Sequence, residues 1–325
     1  MDAVRLLNEL ESYMHTSNLY FSQDAELQLT IALRLLSIVN NLMRDGKRQN
    51  LLFYETEKKL NMHVLQCGPN HVYKQPVPKV SELHDKLWEK QYDAGIDWNE
   101  EEGLKLLDEL AEYSEEYVEL LKTAKFNPTD GRFQFHDPAV YYCMIKHFGP
   151  RNIIEIGAGG STKIASLAVT KETTITAIDP YYESTIQGVH LIRTPVQQIP
   201  ITEFKKLGNN DILFIDGTHV SKIGSDVNYL LLEVLPELND GVIVHIHDIY
   251  LPDEMPKHWI KSLALFWNEQ YLLHAFLIYN SKFKVLLSNY YMKKFHPEAL
   301  LKVYNNKPVG GGSFWMQKRK DNYNN

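Results

Sequence analysis

The stretch Ile153-Ile154-Glu155-Ile156-Gly157-Ala158-Gly159-Gly160-Ser161-Thr162 decides how this chain reads. Its first four residues are β-branched apart from one acid, the pattern of a short strand buried on both faces. The glycines that follow allow a sharp turn and a close approach of backbone to a ligand, with no Cβ in the way. From Lys163 onward the pattern is helical. Strand, glycine turn and helix in that order set free N–H groups and the positive end of a helix dipole beside whatever binds there.

Working outward, the same alternation recurs downstream. Short apolar runs at Asn152–Ile156, Thr174–Ile178, Val189–Ile192, Ile212–Ile215 and Val242–Ile246 are separated by helical stretches. Near-continuous apolar strands alternating with helices predict a parallel sheet covered on both faces, an α/β, Rossmann-like, doubly wound fold. Beyond them a helix is expected over Trp259–Tyr279, then strands at Phe283–Leu287 and Ser313–Gln317. Upstream, residues 1–125 read as mainly helical. One dense apolar helix covers Leu27 to Leu42 and ends near Asp45-Gly46. A second runs from Glu100 to Lys125, with Glu112, Glu115, Glu116 and Glu119 on a solvated face. The turn cluster Phe126-Asn127-Pro128-Thr129-Asp130-Gly131 marks the expected junction. The division is then 1–125, with a lid, substrate or dimerisation role, and 126–325, the sheet domain.

Bulk properties narrow the classes. The chain has 325 residues, 44% of them hydrophobic and 23% charged, enough to bury a sizeable core. A net charge of −7 argues against nonspecific binding of nucleic acid. Two cysteines, Cys67 and Cys143, are too few for a disulfide framework. The start lacks the cationic and apolar regions of a signal peptide, and no run reaches membrane-spanning length. These features lead us to expect a cytoplasmic protein that binds no nucleic acid and no membrane. A homo-oligomer stays open.

The glycine turn selects among ligands. Thr162 stands where a dinucleotide fingerprint has its third glycine, and no Gly-Lys-Ser/Thr ending marks a phosphate loop. Glu155 at the strand end repels a pyrophosphate. It suits the ammonium of a zwitterionic amino-acid tail, whose carboxylate suits the N–H groups around Gly157, Gly159, Ser161 and Thr162. Asp179, in Ala177-Ile178-Asp179-Pro180, ends the second strand, where an acid accepts hydrogen bonds from ribose hydroxyls. Gln197 follows the third strand, near the place of an adenine. Two more strand ends carry titratable groups, Asp216-Gly217-Thr218-His219 and His245-Ile246-His247-Asp248. Such groups are costly in a buried strand unless paired, so their presence at both ends favours a site. His245 reads as a core histidine, and Asp226 as a cap or buttress of the next helix. Phe133, Phe135, His136 and Tyr142 could close over the ligand, and Trp259 and Trp267-Asn268-Glu269-Gln270-Tyr271 could line a substrate pocket or the core.

Together, Glu155–Thr162, Ala177–Pro180, Asp211–His219 and Gly241–Asp248 resemble a class I S-adenosylmethionine-dependent methyltransferase over about residues 130–318. The pattern is similar to the small-molecule subgroup that includes macrocin O-methyltransferase-like and cephalosporin-hydroxylase-associated proteins, and more distantly to catechol O-methyltransferase. The resemblance implies a seven-stranded sheet with its last strand antiparallel, closed by Phe283–Leu287 and Ser313–Gln317. It implies S-adenosylmethionine as cofactor, with Asp216 joining the contacts above. In catechol-type enzymes the strand-four acid binds metal and the residue three positions on is the base, which match Asp216 and His219. Their strand-five acid and amide ligands fall on His247 and Asp248, a departure. The resemblance thus implies catalytic roles for His219, His247 and Asp248, and a divalent metal such as Mg held by Asp216, His247 and Asp248. The expected reaction is methylation of a hydroxyl on a sugar or other natural-product intermediate. Methylation of nitrogen, an NAD-dependent oxidoreductase and a non-catalytic binding protein are the alternatives.

Overall fold

The structure is a computed structural model that describes residues 77–78, 80–123 and 133–320. The expected helix over 27–42, the 126–131 turn cluster and Cys67 lie outside the described residues. The chain divides into two compact units, Met1–Glu82 and Leu83–Asn325. Within the first, Val80–Glu82 forms one 3₁₀ turn. Everything that follows concerns the second.

Seven strands form one sheet in the order β3-β2-β1-β4-β5-β7-β6. They are β1 Asn152–Ile156, β2 Thr174–Ile178, β3 Val189–Ile192, β4 Ile212–Ile215, β5 Ile243–Ile246, β6 Phe283–Ser288 and β7 Phe314–Lys318. The pairs from β3 to β5 are parallel, and β7 runs antiparallel to both β5 and β6. The seven-stranded doubly wound sheet with its last strand antiparallel is therefore observed, closed by the pair expected at 283–287 and 313–317.

The strands bury both faces because their side chains alternate between two apolar layers. Ile153, Ile175, Ile212, Phe214, Ile243 and Trp315 face one layer. It is covered by α1 Glu100–Leu110, α2 Ser114–Thr123, α3 Asp137–Phe148 and α4 Gly160–Ala168. Ile154, Ile156, Leu213, Ile215, Val244 and Ile246 face the other, covered by a helical run over 226–237, whose first turn is α5 Asp226–Tyr229, and by later helices. Leu107, Leu110 and Tyr117 are fully buried in the first layer. The helices of 100–123 are thus part of the sheet's own core, and the division after Glu82 falls earlier than the 125/126 boundary expected from the turn cluster.

Two local differences matter for the site. The helix expected over Trp259–Tyr279 is two, α6 Lys257–Lys261 and α7 Glu269–Leu277. Between them Ala264 has φ 53°, which ends helical continuity, and the N–H groups of Asn268 and Glu269 both donate to the carbonyl of His219. The apolar run Leu263 to Trp267 has helical periodicity; tertiary bonds to the β4 loop override it. At the opposite edge of the sheet, the Asp211 carboxylate accepts from the backbone N–H groups of Arg151, Asn152 and Gly208 and from the Asn152 amide, at 2.8–3.0 Å. It pins the start of β1 to the start of β4. The two acids of Asp211–Asp216 therefore divide: the first fastens strands, and the second stands at the carboxyl end with the site.

Candidate functional site

The glycine turn leaves β1 where the sheet's carboxyl edge opens. Gly157 has φ +90°, and a Cβ there would meet the Asp216 carbonyl oxygen at 2.3 Å. No other residue permits this approach of the β1 and β4 ends. Asp179 ties the turn to β2: one carboxylate oxygen accepts from the Ala158 N–H at 3.0 Å, and the other from Tyr181 and Tyr182 N–H at 2.8 and 3.1 Å. The Thr162 hydroxyl accepts from Gly159 N–H, fixing the first turn of α4. Gly157 to Gly160 remain half-buried, so the turn is reachable, while Ser161 and Thr162 are buried. Gln197, expected near an adenine, is exposed and donates to the Gly224 carbonyl across the β3 and β4 loops.

Glu155 is wholly buried beneath the turn. Tyr141 OH of α3 donates to one of its oxygens at 2.8 Å, and the other oxygen has no partner. Burial pushes its carboxyl up to about 7, against the lowering effect of Thr162 and Tyr141. An unsatisfied buried carboxylate oxygen beside an open glycine turn fits an incoming cation.

The β4 and β5 ends bring together four residues named from sequence. His219 Nε2 lies 3.3 Å from Asp216 Oδ1 and 3.7 Å from Asp248 Oδ2. His247 Nδ1 lies 3.5 Å from each of the same two oxygens. The outward nitrogens are also held: His219 Nδ1–H donates to Glu269 Oε2 at 3.0 Å, and His247 Nε2–H to Asp137 Oδ2 at 3.2 Å. Burial works against charge on either imidazole, but the surrounding carboxylates outweigh it. They raise His219 to about 10, and His247 well above its usual value. Asp216, also opposed by burial, is held well below the carboxylate range by the two histidines. Asp216 and Glu269 flank the two ring nitrogens of His219 and favour its protonated form.

The backbone is bent to achieve this. His219 and Asp248 both have positive φ, 60° and 57°, a costly conformation for residues with side chains. Thr218 is braced from below by Asp226, whose carboxylate accepts from its N–H and its hydroxyl. The expected buttress is thus a brace of the β4 loop, and Ser225 is the cap of the helix that follows. Asp137 is fastened by Asn289 and by the N–H groups of Gly312 and Ser313. His245 is fully buried, stacked on Phe214 at 3.7 Å and bonded to Ser313; burial lowers its pKa, so it stays a neutral core residue.

Aromatic rings border the cluster. Trp267 lies 4.3 Å from the His219 ring, Trp259 lies edge-on to Trp267 at 5.0 Å, and Tyr250 OH donates to Asp248. Phe133 packs on His247 at 5.3 Å. Sequence reasoning missed Asp137 and took Glu269 only as part of the Trp267–Tyr271 stretch that could line a substrate pocket or the core. The available signal was that each is an acid opening a helix, α3 and α7, beside apolar residues.

Residues 154–249 match a family model described as a methyltransferase domain. An uncharacterized protein of Archaeoglobus fulgidus is 31% identical over 168 residues, 44% of this chain and 75% of the relative. Among solved structures, the O-methyltransferase TomG of Streptomyces achromogenes, in complex with SAM, is 12% identical with TM-score 0.38, covering 66% of this chain and 89% of its own. The MycE methyltransferase of the mycinamycin biosynthetic pathway, in complex with Mg and SAH, is 14% identical with TM-score 0.36, covering 67% of this chain and 56% of its own. No helix among the described residues is long and apolar enough to cross a membrane.

Proposed function

We propose that this methyltransferase, which belongs to one family with the Archaeoglobus fulgidus protein, moves a methyl group from S-adenosylmethionine to a hydroxyl of a small-molecule acceptor. The observation that carries the reading is the Gly157–Thr162 turn, clamped to Asp179 and opening over the unsatisfied oxygen of Glu155. Glu155 would take the cofactor's ammonium, the free N–H groups of the turn its carboxylate, and Asp179 its ribose. When bound, the cofactor supplies an electrophilic methyl carried on a sulfonium.

The chain's own residues then act on the acceptor. Ligand atoms of Asp216, His219 and Asp248 lie within 4.8 Å of one another at the strand ends, and His247 Nδ1 lies beside both carboxylates. That donor set suits a divalent cation, which would lower the pKa of an acceptor hydroxyl, or His219 would assist its deprotonation directly. Tyr250 orients Asp248, and Trp259 and Trp267 screen the site from water. The acceptor we favour is a sugar or another natural-product intermediate, in the manner of the macrocin-type subgroup. The aromatic border suits the apolar face of such a molecule.

The test is incubation of the purified protein with methyl-labelled S-adenosylmethionine and parallel panels of hydroxylated and amine-bearing small molecules. Label is expected on oxygen. Label on nitrogen alone would replace this reading with N-methylation, and an absence of transfer to either panel would remove it.

A further inference from the structure

A row of aromatic rings leads away from the cluster. Trp267 lies 4.3 Å from the His219 ring, Trp259 5.0 Å from Trp267, Tyr250 5.2 Å from Trp259 and Tyr290 5.3 Å from Tyr250. All four are half-buried, so the row keeps faces that core packing does not fill. Tyr290 belongs to α8 Asn289–Phe295, which begins where β6 ends. Lys293 follows three residues later on the same helix face, its ammonium 5.5 Å from the centre of the Tyr290 ring.

A second line of contacts reaches Lys293 from the site. The loop Gly310-Gly311-Gly312 leads into β7. A Cβ on Gly312 would meet the Asp248 carboxylate at 3.2 Å, and one on Gly310 would meet the Phe135 ring at 3.7 Å and the Lys293 stem at 3.9 Å. Asp248 in turn accepts from the Tyr250 hydroxyl. Asp248, the glycine loop, Lys293, Tyr290 and Tyr250 therefore form a closed circuit, with Lys293 on the side away from Asp248. Phe135 stands on the same rim, 45% exposed and held at φ 60°. A large apolar ring kept in the open by a costly backbone conformation offers its face to a ligand.

Charge separates the interior from the rim. Inside, Asp137, Asp216, Asp248 and Glu269 surround the two histidines. At the rim, Lys294 pairs with Asp253, whose other oxygen accepts from the Tyr290 hydroxyl. Glu254 accepts from the hydroxyls of Tyr92 and Tyr271. Lys293 has no carboxylate partner among the described residues. The acid-rich interior and the uncompensated ammonium sort the two ends of an elongated acceptor. The carboxylates repel an anion from the interior, Lys293 holds it at the rim, and a hydroxyl at the other end is left beside Asp216 and His219.

We propose that Lys293, with Tyr290 and Phe135, forms an anion-binding end of the acceptor site, and that the acceptor is a hydroxylated molecule bearing a carboxylate or phosphate group. The inference rests on the methyl-transfer reading for what the site accepts in turnover; the anion contact itself stands on the geometry and charge of the rim.

The experiment offers the full-length protein matched probes: glucuronate beside its methyl ester, para-hydroxybenzoate beside its methyl ester, and glucose phosphate beside glucose. Binding is read by ligand-observed NMR with S-adenosylhomocysteine present, which has no methyl to give. Transfer is read separately with methyl-labelled S-adenosylmethionine. At least one anionic probe should bind about fivefold or more tightly than its neutral twin, with the difference shrinking as salt is raised. The carboxylate and phosphate pairs show which anion is preferred. Lys293→Gln should level the pair, and Lys293→Arg should keep the preference. Lys302→Gln, the same charge change at a lysine paired with Asp108, should keep it as well. Equal binding within every pair, a preference that survives Lys293→Gln, or binding of no probe would overturn the assignment. A preference lost in Lys293→Gln, with no label transferred to any hydroxyl, defeats the methyl-transfer reading alone. Label on neutral acceptors with no preference for anions defeats the anion assignment alone.

Discussion

Glu155 shows how one residue can be stable in place and still poised for a ligand. Its carboxyl titrates at about 7 because it is buried with one oxygen unpaired. A raised folded-state value means the folded protein holds that proton more tightly than the unfolded chain does. The associated stability is complete below the ordinary carboxyl value and is lost as pH rises through about 7. Without cofactor, Glu155→Gln should therefore match or fall below wild type at pH 4. Relative to wild type it should gain up to about 3 kcal/mol by pH 8, as judged from urea midpoints. A constant difference across that range would mean Glu155 does not titrate there. Gly157 is more rigidly specified. Gly157→Ala places a Cβ against the Asp216 carbonyl at positive φ and should cost at least about 2 kcal/mol in the same assay, with loss of cofactor binding. Asp179→Ala frees three backbone N–H groups and should weaken S-adenosylmethionine by tenfold or more in calorimetry. These residues were legible in sequence because close-set glycines after a strand, with an acid ending the next strand, make a chemically specific pattern. Asp137 was not, because a lone acid at a helix start reads as a cap until the fold carries it to His247.

The elements divide in the same way. Strand limits followed directly from apolar runs, since a buried parallel strand admits little else. The helix expected over Trp259–Tyr279 did not, because apolar loop residues that pack inward mimic helical periodicity. What breaks it is the His219 carbonyl, a long-range acceptor invisible in local sequence. That break is functional geometry, since it seats Trp267 on His219 and starts α7 with Glu269 behind the ring. Asp226 belongs to this scale too, bracing the β4 loop from the next helical run. Asp226→Ala should leave the unfolding midpoint within about 2 kcal/mol of wild type while lowering turnover more than cofactor affinity. Equal turnover would show that Thr218 and His219 hold their place unaided.

At the scale of the molecule, the core of the sheet takes in helices that precede the junction expected at 126–131. Leu106, Leu107, Leu110 and Tyr117 fill the layer beneath α3, so the helices of 100–123 belong to the fold that carries the site. A cluster of turn-forming residue types in a sequence does not say which core each side buries, and it is burial that sets a domain's extent. A chain starting at Leu83 should unfold cooperatively with a midpoint close to that of the full chain. One starting at 126 loses several buried leucines, each worth about 2–5 kcal/mol, and should not fold. Cooperative folding of the shorter piece would restore the later boundary. The central claim is that the edge of this sheet holds S-adenosylmethionine rather than a dinucleotide. Calorimetric titration of the full chain with S-adenosylmethionine and, separately, with NAD tests it most directly. The account predicts one-to-one binding of the first, abolished in Gly157→Ala, and none of the second; binding of NAD with no binding of S-adenosylmethionine would contradict it.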